Sequence, residues 1–351
     1  MTSILNRRAG IPRFARLVSA GESATVVAFG TSLTLGGAYL DRLPAALSAA
    51  YGDARVELIN RGRNGYMTLG AAFRVYEDVL PHAPDLVIIE FAHNDVTQVL
   101  IDYIPSALEG MLGQIRAAFP ACEFVFVYLA LPGTAEHGPT PAIEIYEAVA
   151  NEYGIPSFDL ARLSEELVAQ HRAIWYGEGA PALTVDGIHH GPAAADLLGA
   201  PFAAAFLELL EPPGDGPVIR ATRTDALTAV TRVRAADRLA TGVWEVRALT
   251  AAERRGAGID EEGLAEAREP GASIRVSFVG TNAFAWVSGS GVLGVRIVET
   301  DARYRVGVDA EKKWWLCSLM ETHPAAHYTL EVIALNAGLL IGDLSIAGTP
   351  A

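Results

Sequence analysis

The chain has 351 residues, 51% hydrophobic and 19% charged, a composition typical of a globular protein long enough for two domains. Its net charge of −14 is unevenly distributed: residues 1–217 contain 12 Lys+Arg and 25 Asp+Glu, and the remaining residues contain 15 and 16. Apart from four arginines near the start, the acidic first half lacks the clustered cations that bind a phosphate backbone. We therefore expect no nucleic-acid partner.

The first residues, MTSILNRRAGIPRFARL, carry charges where a signal peptide has an apolar run, and the longest apolar runs are too short to cross a bilayer. We expect a cytoplasmic protein that does not bind membranes, with a removed leader as the alternative. Only Cys122 and Cys317 are present, and they fall in different halves of the chain. We expect two reduced, buried thiols rather than a disulfide.

Short apolar runs alternate with helical segments up to about residue 210. The runs lack polar alternation, as is typical of central strands buried on both faces. They are TVVAF (25–29), VELIN (56–60), DLVIIE (85–90), FVFVYL (124–129) and IPSFDL (155–160). This alternation predicts a parallel sheet with helices on both faces, closed by a last helix over residues 192–210.

A Pro/Gly-rich segment, EPPGDGP (211–217), separates this half from one with a different pattern. The second half consists of short alternating segments divided by Gly, Asn or Asp, which are typical of a β-sandwich. The polar stretch GIDEEGLAEAREPG (258–271) interrupts them and is expected to form a loop or a short helix. We predict an α/β domain over residues 1–212 and a β-sandwich domain over residues 213–351.

Polar motifs follow the ends of the predicted strands, the edge where binding and catalysis occur in parallel α/β sheets. Ser32 in GTSLT could be a nucleophile or a helix-capping residue. Gly65 in NRGRNG could form a tight turn or present its backbone N–H to an oxyanion. Asn94 in AHND could cap a loop or supply a second oxyanion donor.

Asp186 and His189 lie three residues apart in VDGIHHG (185–191), just before the last predicted helix. At this spacing the carboxylate can orient the imidazole, as the general base for a serine nucleophile requires. One alternative is a metal site of Asp186, His189 and His190, although no further ligand cluster is evident. The other is a pair of surface histidines without a catalytic role.

Together, GTSLT, NRGRNG, AHND and DGIHH resemble the four sequence blocks of the SGNH (GDSL-type) hydrolases, over about residues 10–205. The resemblance implies a flavodoxin-like, three-layer α/β/α domain with a parallel sheet. It also implies a catalytic triad of Ser32, Asp186 and His189. The oxyanion hole would consist of the Ser32 and Gly65 backbone N–H groups and the Asn94 amide.

The opening segment and PDLVIIEFAHND resemble a bacterial branch of this family that carries a β-rich, jelly-roll-like C-terminal domain and is associated with carbohydrate esters. We therefore expect a serine ester hydrolase that removes small acyl groups, O-acetyl above all, from a small molecule or oligosaccharide. No metal or organic cofactor is expected. The alternatives are a lipid or aryl esterase or thioesterase of the same fold, and a non-catalytic carbohydrate-binding protein. The sequence does not indicate an oligomeric state.

The chain departs from the family pattern at Thr31, where aspartate is usual, and at Ala92, where glycine is usual. We expect these two residues to tune loop geometry or substrate fit. Several side chains near the motifs are candidate substrate contacts, namely Thr31, His93, Trp175, Tyr176 and His190. The aromatic pair could equally belong to the core or to a lid, and the histidines could be simple loop residues.

Overall fold

The structure is a computed structural model that describes residues 3–52, 55–95, 98–130, 132, 140–211, 216, 226–248, 264–309, 315–321 and 323–350. The chain divides into two compact units, Met1–Ala226 and Leu227–Ala351. The predicted domain boundary at residues 212 and 213, and most of the predicted linker, lie outside the described residues. No helix in the described ranges is both long enough and apolar enough to cross a membrane.

A six-stranded sheet forms the centre of the first unit. Its strands are β1 (Leu5–Asn6), β2 (Ala24–Gly30), β3 (Val56–Asn60), β4 (Leu86–Glu90), β5 (Glu123–Tyr128) and β6 (Ser157–Asp159). Across the sheet they run in the order β1-β6-β5-β4-β2-β3, and β2 to β6 are parallel. The order of these five strands is that of flavodoxin-like folds, which confirms the predicted fold class. One strand was not predicted: β1 pairs antiparallel with β6 at the sheet edge.

Nine α-helices accompany the sheet in the described part of this unit. They are α1 (Pro12–Ser19), α2 (Ser32–Gly36), α3 (Leu43–Tyr51), α4 (Thr68–Ala72), α5 (Val75–Asp78), α6 (Gln98–Ala118), α7 (Pro141–Tyr153), α8 (Leu160–Ala169) and α9 (Ala200–Leu210). Short 3-10 turns occur at Leu80–His82 and Ala92–Asn94. The last predicted helix begins later than expected, because a π-helical turn at Ala195–Gly199 precedes α9.

Helices cover both faces of the sheet, and β5 shows how the faces divide. Alternate residues of a strand point to opposite faces. Val125 and Val127 join the core that α1, α3, α8 and α9 build on one face. On the other face, the Phe126 ring lies 5.3 Å from the ring of Tyr146 in α7, and α7 packs on α6, which packs on α4. The result is the predicted α/β/α arrangement of three layers.

The second unit is an antiparallel β-structure, with ten strands in its described residues. They are β7 (Val230–Arg234), β8 (Leu239–Thr241), β9 (Trp244–Arg247), β10 (Leu264–Ala267), β11 (Ser273–Ser288), β12 (Gly291–Ile297), β13 (Ala302–Val308), β14 (Trp315–Met320), β15 (Ala326–Ala334) and β16 (Leu340–Pro350). A 3-10 turn, Ala235–Arg238, joins β7 to β8. These strands confirm the predicted β-rich C-terminal domain.

The long strand β11 changes partners halfway along its length. One edge pairs first with β15 and then with β14, and the other edge pairs with β8 and then with β16. The pairing register shifts between Gly280 and Asn282 and again between Ala283 and Phe284. Such irregularities bend a strand and let it pass from one layer to the next. The buried side chains of the unit form one main apolar cluster.

One prediction for this unit is wrong. The polar stretch 258–271 was expected to form a loop or a short helix, but its residues Leu264–Ala267 form β10. This strand lies between β9 and β16, so its backbone hydrogen-bonding groups are satisfied by neighbours that are distant in sequence. Residues 258–263 lie outside the described ranges. The two cysteines are free and buried, as predicted.

Candidate active site

Ser32 is the first residue of α2 and follows directly from the carboxyl end of β2. Thr31 caps the helix, because its hydroxyl accepts a hydrogen bond of 3.2 Å from the backbone N–H of Leu33. As the first residue of the helix, Ser32 has a backbone N–H without an acceptor inside the helix. The hydroxyl and the backbone N–H of Ser32 therefore lie together at the carboxyl ends of the strands, where the sequence motifs predict the active site.

The loop after β3 packs closely against the Ser32 turn. Asn60 donates from Nδ2 to the carbonyl of Thr34 over 2.6 Å and accepts from the N–H of Gly62 over 2.9 Å. A Cβ at Gly62 would lie 2.1 Å from the backbone nitrogen of Leu35. Only glycine permits this approach, so the first glycine of NRGRNG is required for packing.

Gly65 and Asn94 are linked through Tyr66, the residue that follows Gly65. Gly65 lies in a turn with φ of +65°, a conformation that favours glycine. Asn94 lies in the 3-10 turn after β4, and its Nδ2 donates to the carbonyl of Tyr66 over 2.7 Å. This bond uses one of the two amide hydrogens of Asn94 and leaves the other for a ligand. The two predicted oxyanion donors after Ser32 are thus brought together.

A cluster of arginines anchors the Gly65 loop. The carboxylate of Asp78 is fully buried and accepts hydrogen bonds of 2.7–2.8 Å from Arg61, Arg63 and Arg74. Burial by itself would raise the pKa of Asp78, but the guanidinium groups of Arg63 and Arg74 hold that pKa far below its usual range. Since Arg61 and Arg63 precede Gly65, the cluster fixes the entry to the loop.

Glu90 ends β4 and has a buried carboxylate in contact with the Ser32 turn. Its Oε2 accepts from the Thr31 backbone N–H (3.2 Å), the Thr31 hydroxyl (3.0 Å) and the Thr34 hydroxyl (2.8 Å). Its Oε1 lies 2.7 Å from Nδ1 of His93, and Nε2 of His93 lies 3.2 Å from the Thr31 hydroxyl. The hydroxyl of Tyr39 bonds that of Thr34 at 2.9 Å. The strand ends of β2 and β4 are therefore held together by one hydrogen-bonded network.

Asp186 and His189 form the predicted carboxylate–imidazole pair. His189 Nδ1 lies 2.8 Å from Asp186 Oδ2, and Asp186 Oδ1 accepts from the backbone N–H groups of Ile188 (2.9 Å) and His189 (2.7 Å). These bonds, led by that with the His189 ring, hold the pKa of Asp186 well below its usual range. Because the carboxylate can only accept, Nδ1 carries the proton and Nε2 is the basic nitrogen. Both side chains are about half exposed.

His190, the next residue, lies in a different environment. Its Nδ1 is buried and has no hydrogen-bond partner among the described residues. Burial lowers the pKa of His190 to about 4, and the charges of Glu90, His93 and His189 also influence it. Two of these groups, Glu90 and His93, belong to the segment that carries the third motif. His190 is therefore half-buried and uncharged at neutral pH, whereas the side chain of His189 beside it is exposed.

The candidate substrate contacts lie in different environments. The side chains of Thr31 and His93 are buried and bonded to Glu90, so they lie beneath the surface of the site. Trp175 packs partly against the core of the α/β unit. Tyr176 is 63% exposed, and a Cβ built at Gly187, between Asp186 and His189, would meet its ring at 3.8 Å. Tyr176 therefore remains the aromatic candidate for a substrate contact.

Several residues that shape the site were not assigned from the sequence. Glu90 and Asp78 are the two buried carboxylates described above, and a third is Asp95. Asp95 accepts from the N–H and the hydroxyl of Thr68 at 3.1 and 2.5 Å, and burial raises the pKa of Asp95 to about 7. A signal for Glu90 was available, because a carboxylate that ends the apolar run DLVIIE must find buried donors.

A metal site was the alternative for the fourth motif. In the part of the chain that the structure describes, no group of three or more His, Cys, Asp or Glu side chains could hold a metal ion. The expectation that the reaction needs no metal remains a prediction.

The model of the GDSL-like lipase/acylhydrolase family matches residues 20–197, about half of the chain. The chain belongs to this family, and it is a carboxylic ester hydrolase. The matched region contains Ser32, Gly65, Asn94 and the Asp186–His189 pair. No curated protein matches the sequence.

Two solved structures share the fold over both units. A two-domain esterase (CEX) active on acetylated mannans, co-crystallized with mannopentaose, matches with a TM-score of 0.77 and 18% identity, covering 98% of this chain and 97% of that chain. Another structure of a two-domain esterase (CEX) active on acetylated mannans matches with a TM-score of 0.76 and 16% identity over the same shares. At this identity the likeness shows the fold.

The lowered pKa of the half-buried His190 predicts a pH-dependent stability difference between the wild-type protein and His190→Gln. Between pH 6.5 and 4 an unfolded histidine binds a proton but the native His190 does not, so falling pH favours unfolding of the wild type. We expect the wild type to lose about 2–3 kcal/mol of unfolding free energy relative to His190→Gln between pH 7 and pH 4. Urea unfolding of both proteins at several pH values measures this difference. Asp95 is common to both, so its own titration largely cancels. A difference that does not change with pH would contradict the assignment.

Proposed function

We propose that this protein is a serine esterase that removes small acyl groups, O-acetyl in particular, from a carbohydrate through an acyl-enzyme. The observation that carries the proposal is the Asp186–His189 pair. One carboxylate oxygen is held by two backbone N–H groups while the other binds Nδ1 at 2.8 Å, so the carboxylate, the ring and its tautomer are all fixed. That arrangement suits a base that must present Nε2 to a serine hydroxyl.

In the first step His189 Nε2 takes the proton of the Ser32 hydroxyl as Ser32 Oγ attacks the ester carbonyl. Asp186 stabilises the imidazolium that forms, because its carboxylate stays ionised beside Nδ1. His189 then gives the proton to the leaving sugar oxygen, and the acyl group stays on Ser32. A water molecule, activated by His189, hydrolyses the acyl-enzyme and restores the serine.

The tetrahedral intermediates carry negative charge on the former carbonyl oxygen. The proposed donors are the Ser32 backbone N–H, the Gly65 backbone N–H and the second hydrogen of the Asn94 amide. Each belongs to a loop that other contacts hold in place: the Glu90 network for Ser32, the Asp78 cluster for Gly65 and the Tyr66 carbonyl for Asn94. Donors fixed before the reaction stabilise developing charge without reorganisation.

A carbohydrate substrate is supported by Tyr176 and by the structural relatives. Tyr176 presents an exposed ring next to the loop that carries the base, and an aromatic face can stack on the apolar face of a sugar ring. The two-domain esterases of the same fold are active on acetylated mannans. We propose that Tyr176 contacts the sugar that bears the acyl group.

A second candidate function, a lipid or aryl esterase or thioesterase, is favoured by apolar side chains around the same motifs. Leu35 lies three residues after Ser32 and is 48% exposed, while Val185 and Ile188, on either side of Asp186, are 66% and 47% exposed. Exposed apolar side chains close to a reactive serine are suited to an acyl chain or an aryl group. The length of the preferred acyl group distinguishes the two functions.

The nucleophile is tested with Ser32→Ala. Because the triad acts as a unit, we expect kcat for p-nitrophenyl acetate to fall by about 10⁴–10⁶ with an unchanged circular dichroism spectrum. Ser48→Ala, the same change at an exposed residue of α3, serves as the control and should retain full activity. More than about a tenth of the wild-type kcat in Ser32→Ala would remove Ser32 from the mechanism.

The metal alternative is tested by measuring wild-type activity in EDTA. We expect no change, and a loss of activity that added zinc restores would support a metal site.

The oxyanion hole is tested with Asn94→Ala. We expect kcat to fall by about 10²–10³ with a similar KM, since the Asn94 bond strengthens only as charge develops on the substrate oxygen. Asn151→Ala removes a surface amide from α7 and is the matched control, with no expected change in kcat. If KM rises and kcat is unaffected, Asn94 is a ground-state contact instead.

The acyl preference is tested with p-nitrophenyl esters from acetate to palmitate. We expect kcat/KM to be highest for acetate and to fall as the chain lengthens. A preference for long chains would establish the lipid esterase alternative.

The sugar contact is measured within the same set of assays. Tyr176→Ala should raise KM for an acetylated oligosaccharide and leave KM for p-nitrophenyl acetate unchanged. Tyr76→Ala is the control, because Tyr76 is 76% exposed on α5 and belongs to none of the four motifs. An equal effect of Tyr176→Ala on both substrates would show that the ring supports the loop rather than the sugar.

A further inference from the structure

The Ser32 turn rests on a carboxylate that comes from a different strand. Glu90 is 1% exposed, and both of its oxygens are bonded within the α/β unit, to two threonines and a histidine. A buried carboxylate is stable only when donors surround it, so these contacts constrain the groups that make them. Thr31 and Thr34 flank Ser32 on both sides. Glu90 therefore fixes the nucleophile turn, Thr31 to Thr34, through the residues at both of its ends.

Thr31 occupies the position where the family motif usually has aspartate. Its hydroxyl lies 3.0 Å from Glu90 Oε2, caps the N–H of Leu33 at 3.2 Å and lies 3.2 Å from His93 Nε2. A hydroxyl can donate to Glu90 and accept from Leu33 at the same time. An ionised carboxylate at position 31 could accept but not donate, and it would lie within about 3 Å of a second buried carboxylate. The two groups could then stay together only by binding a proton between them, which the hydroxyl of Thr31 makes unnecessary.

We propose that Glu90 is a positioning residue for Ser32, and that it supplies from β4 the buried carboxylate of the nucleophile turn, which is why the residue before Ser32 must carry a hydroxyl. The inference rests on the proposed function, since it assumes that Ser32 is the nucleophile. It assigns a joint role to Thr31 and Glu90, in which the buried carboxylate needs a hydroxyl donor at position 31 and that hydroxyl needs the carboxylate as its acceptor.

The geometry shows how this pair acts on the reaction. Glu90 ties the Ser32 turn to the end of β4, and four residues later the same segment carries Asn94. The relative positions of Ser32 Oγ, the Ser32 N–H and the Asn94 amide thus depend on the Glu90 contacts. A displacement of about 1 Å between such groups lowers a rate by about a hundredfold while substrate binding is little affected. The expected signature is a change in kcat rather than KM.

The first experiment replaces Glu90 by glutamine. The amide keeps the shape of the carboxylate but not its charge, so the bonds from Thr31 and Thr34 become neutral ones of about half the strength. The NH2 group fits opposite His93 only if Nδ1 of that ring carries no proton. We expect kcat on p-nitrophenyl acetate to fall by about tenfold to a hundredfold with KM within about twofold.

Glu123→Gln is the matched control. Glu123 is also a buried carboxylate, but it lies at the amino end of β5, where it accepts from the N–H groups of Arg13 and Phe14 at 3.0 and 2.7 Å. In parallel strands that end is opposite to the Ser32 edge. We expect Glu123→Gln to lower the melting temperature and leave kcat unchanged.

The second experiment tests the joint role. Thr31→Asp should be nearly inactive, because it places two carboxylates face to face. Adding Glu90→Gln leaves one carboxylate and one amide, and the double variant should be at least about tenfold more active than Thr31→Asp alone. Independent residues would instead show multiplied losses, and a double variant less active than either single variant would overturn the proposal.

A pair of milder variants covers the case in which Glu90→Gln does not fold. Thr31→Ser keeps the hydroxyl and should retain kcat within about threefold, while Thr31→Val keeps the shape without the hydroxyl and should lose about tenfold or more. Equal kcat values for these two variants would overturn the role of the hydroxyl.

If Ser32→Ala proves fully active, the proposed function fails. If Ser32→Ala is inactive but Glu90→Gln and Thr31→Val match the wild type in kcat, only the present inference fails.

Discussion

The catalytic edge of the sheet depends on one constraint, the need to satisfy the buried carboxylate of Glu90. It ends a strand whose residues are all buried, so no water is available to solvate it. Its donors come from the turn after β2 and from the turn after β4, and neither turn can move without exposing or unpairing the charge. Because leaving this charge unpaired would cost several kcal/mol, its donors keep both turns in fixed positions.

The sequence predicted the parts of this site that follow from local pattern. Apolar runs located the strands, and because parallel strands end at the same edge of a sheet, Ser32, Gly65 and Asn94 were predicted to lie at that edge. The Asp186–His189 contact was predictable because three residues in one loop suffice to form it. The flavodoxin-like strand order followed from the family resemblance, since strand periodicity alone does not determine which strands are neighbours.

The remaining features depend on partners that are distant along the chain. Glu90 and Thr31 are 59 residues apart, and no periodicity links them. The strand at Leu264–Ala267 shows the same limit, because it lies in a stretch rich in charged residues and its conformation is determined by the neighbouring strands β9 and β16. The side chains of Thr31 and His93 were candidates for substrate contact or for loop residues, and the structure places both in buried contact with Glu90. Contacts of this kind appear only when the strands are placed side by side.

The two halves of the site differ in how they are held, and this difference has a chemical reason. In the proposed mechanism, Ser32 and the oxyanion donors must match a transition state closely, and they lie on loops fixed by hydrogen-bonded networks. The proposed base, His189, must also transfer protons to a leaving group and from water, so its loop has to be reachable. The Asp186–His189 loop is half exposed and holds its own geometry through hydrogen bonds within four residues. These local bonds fix the orientation of the His189 ring without burying it, so the ring stays accessible to solvent.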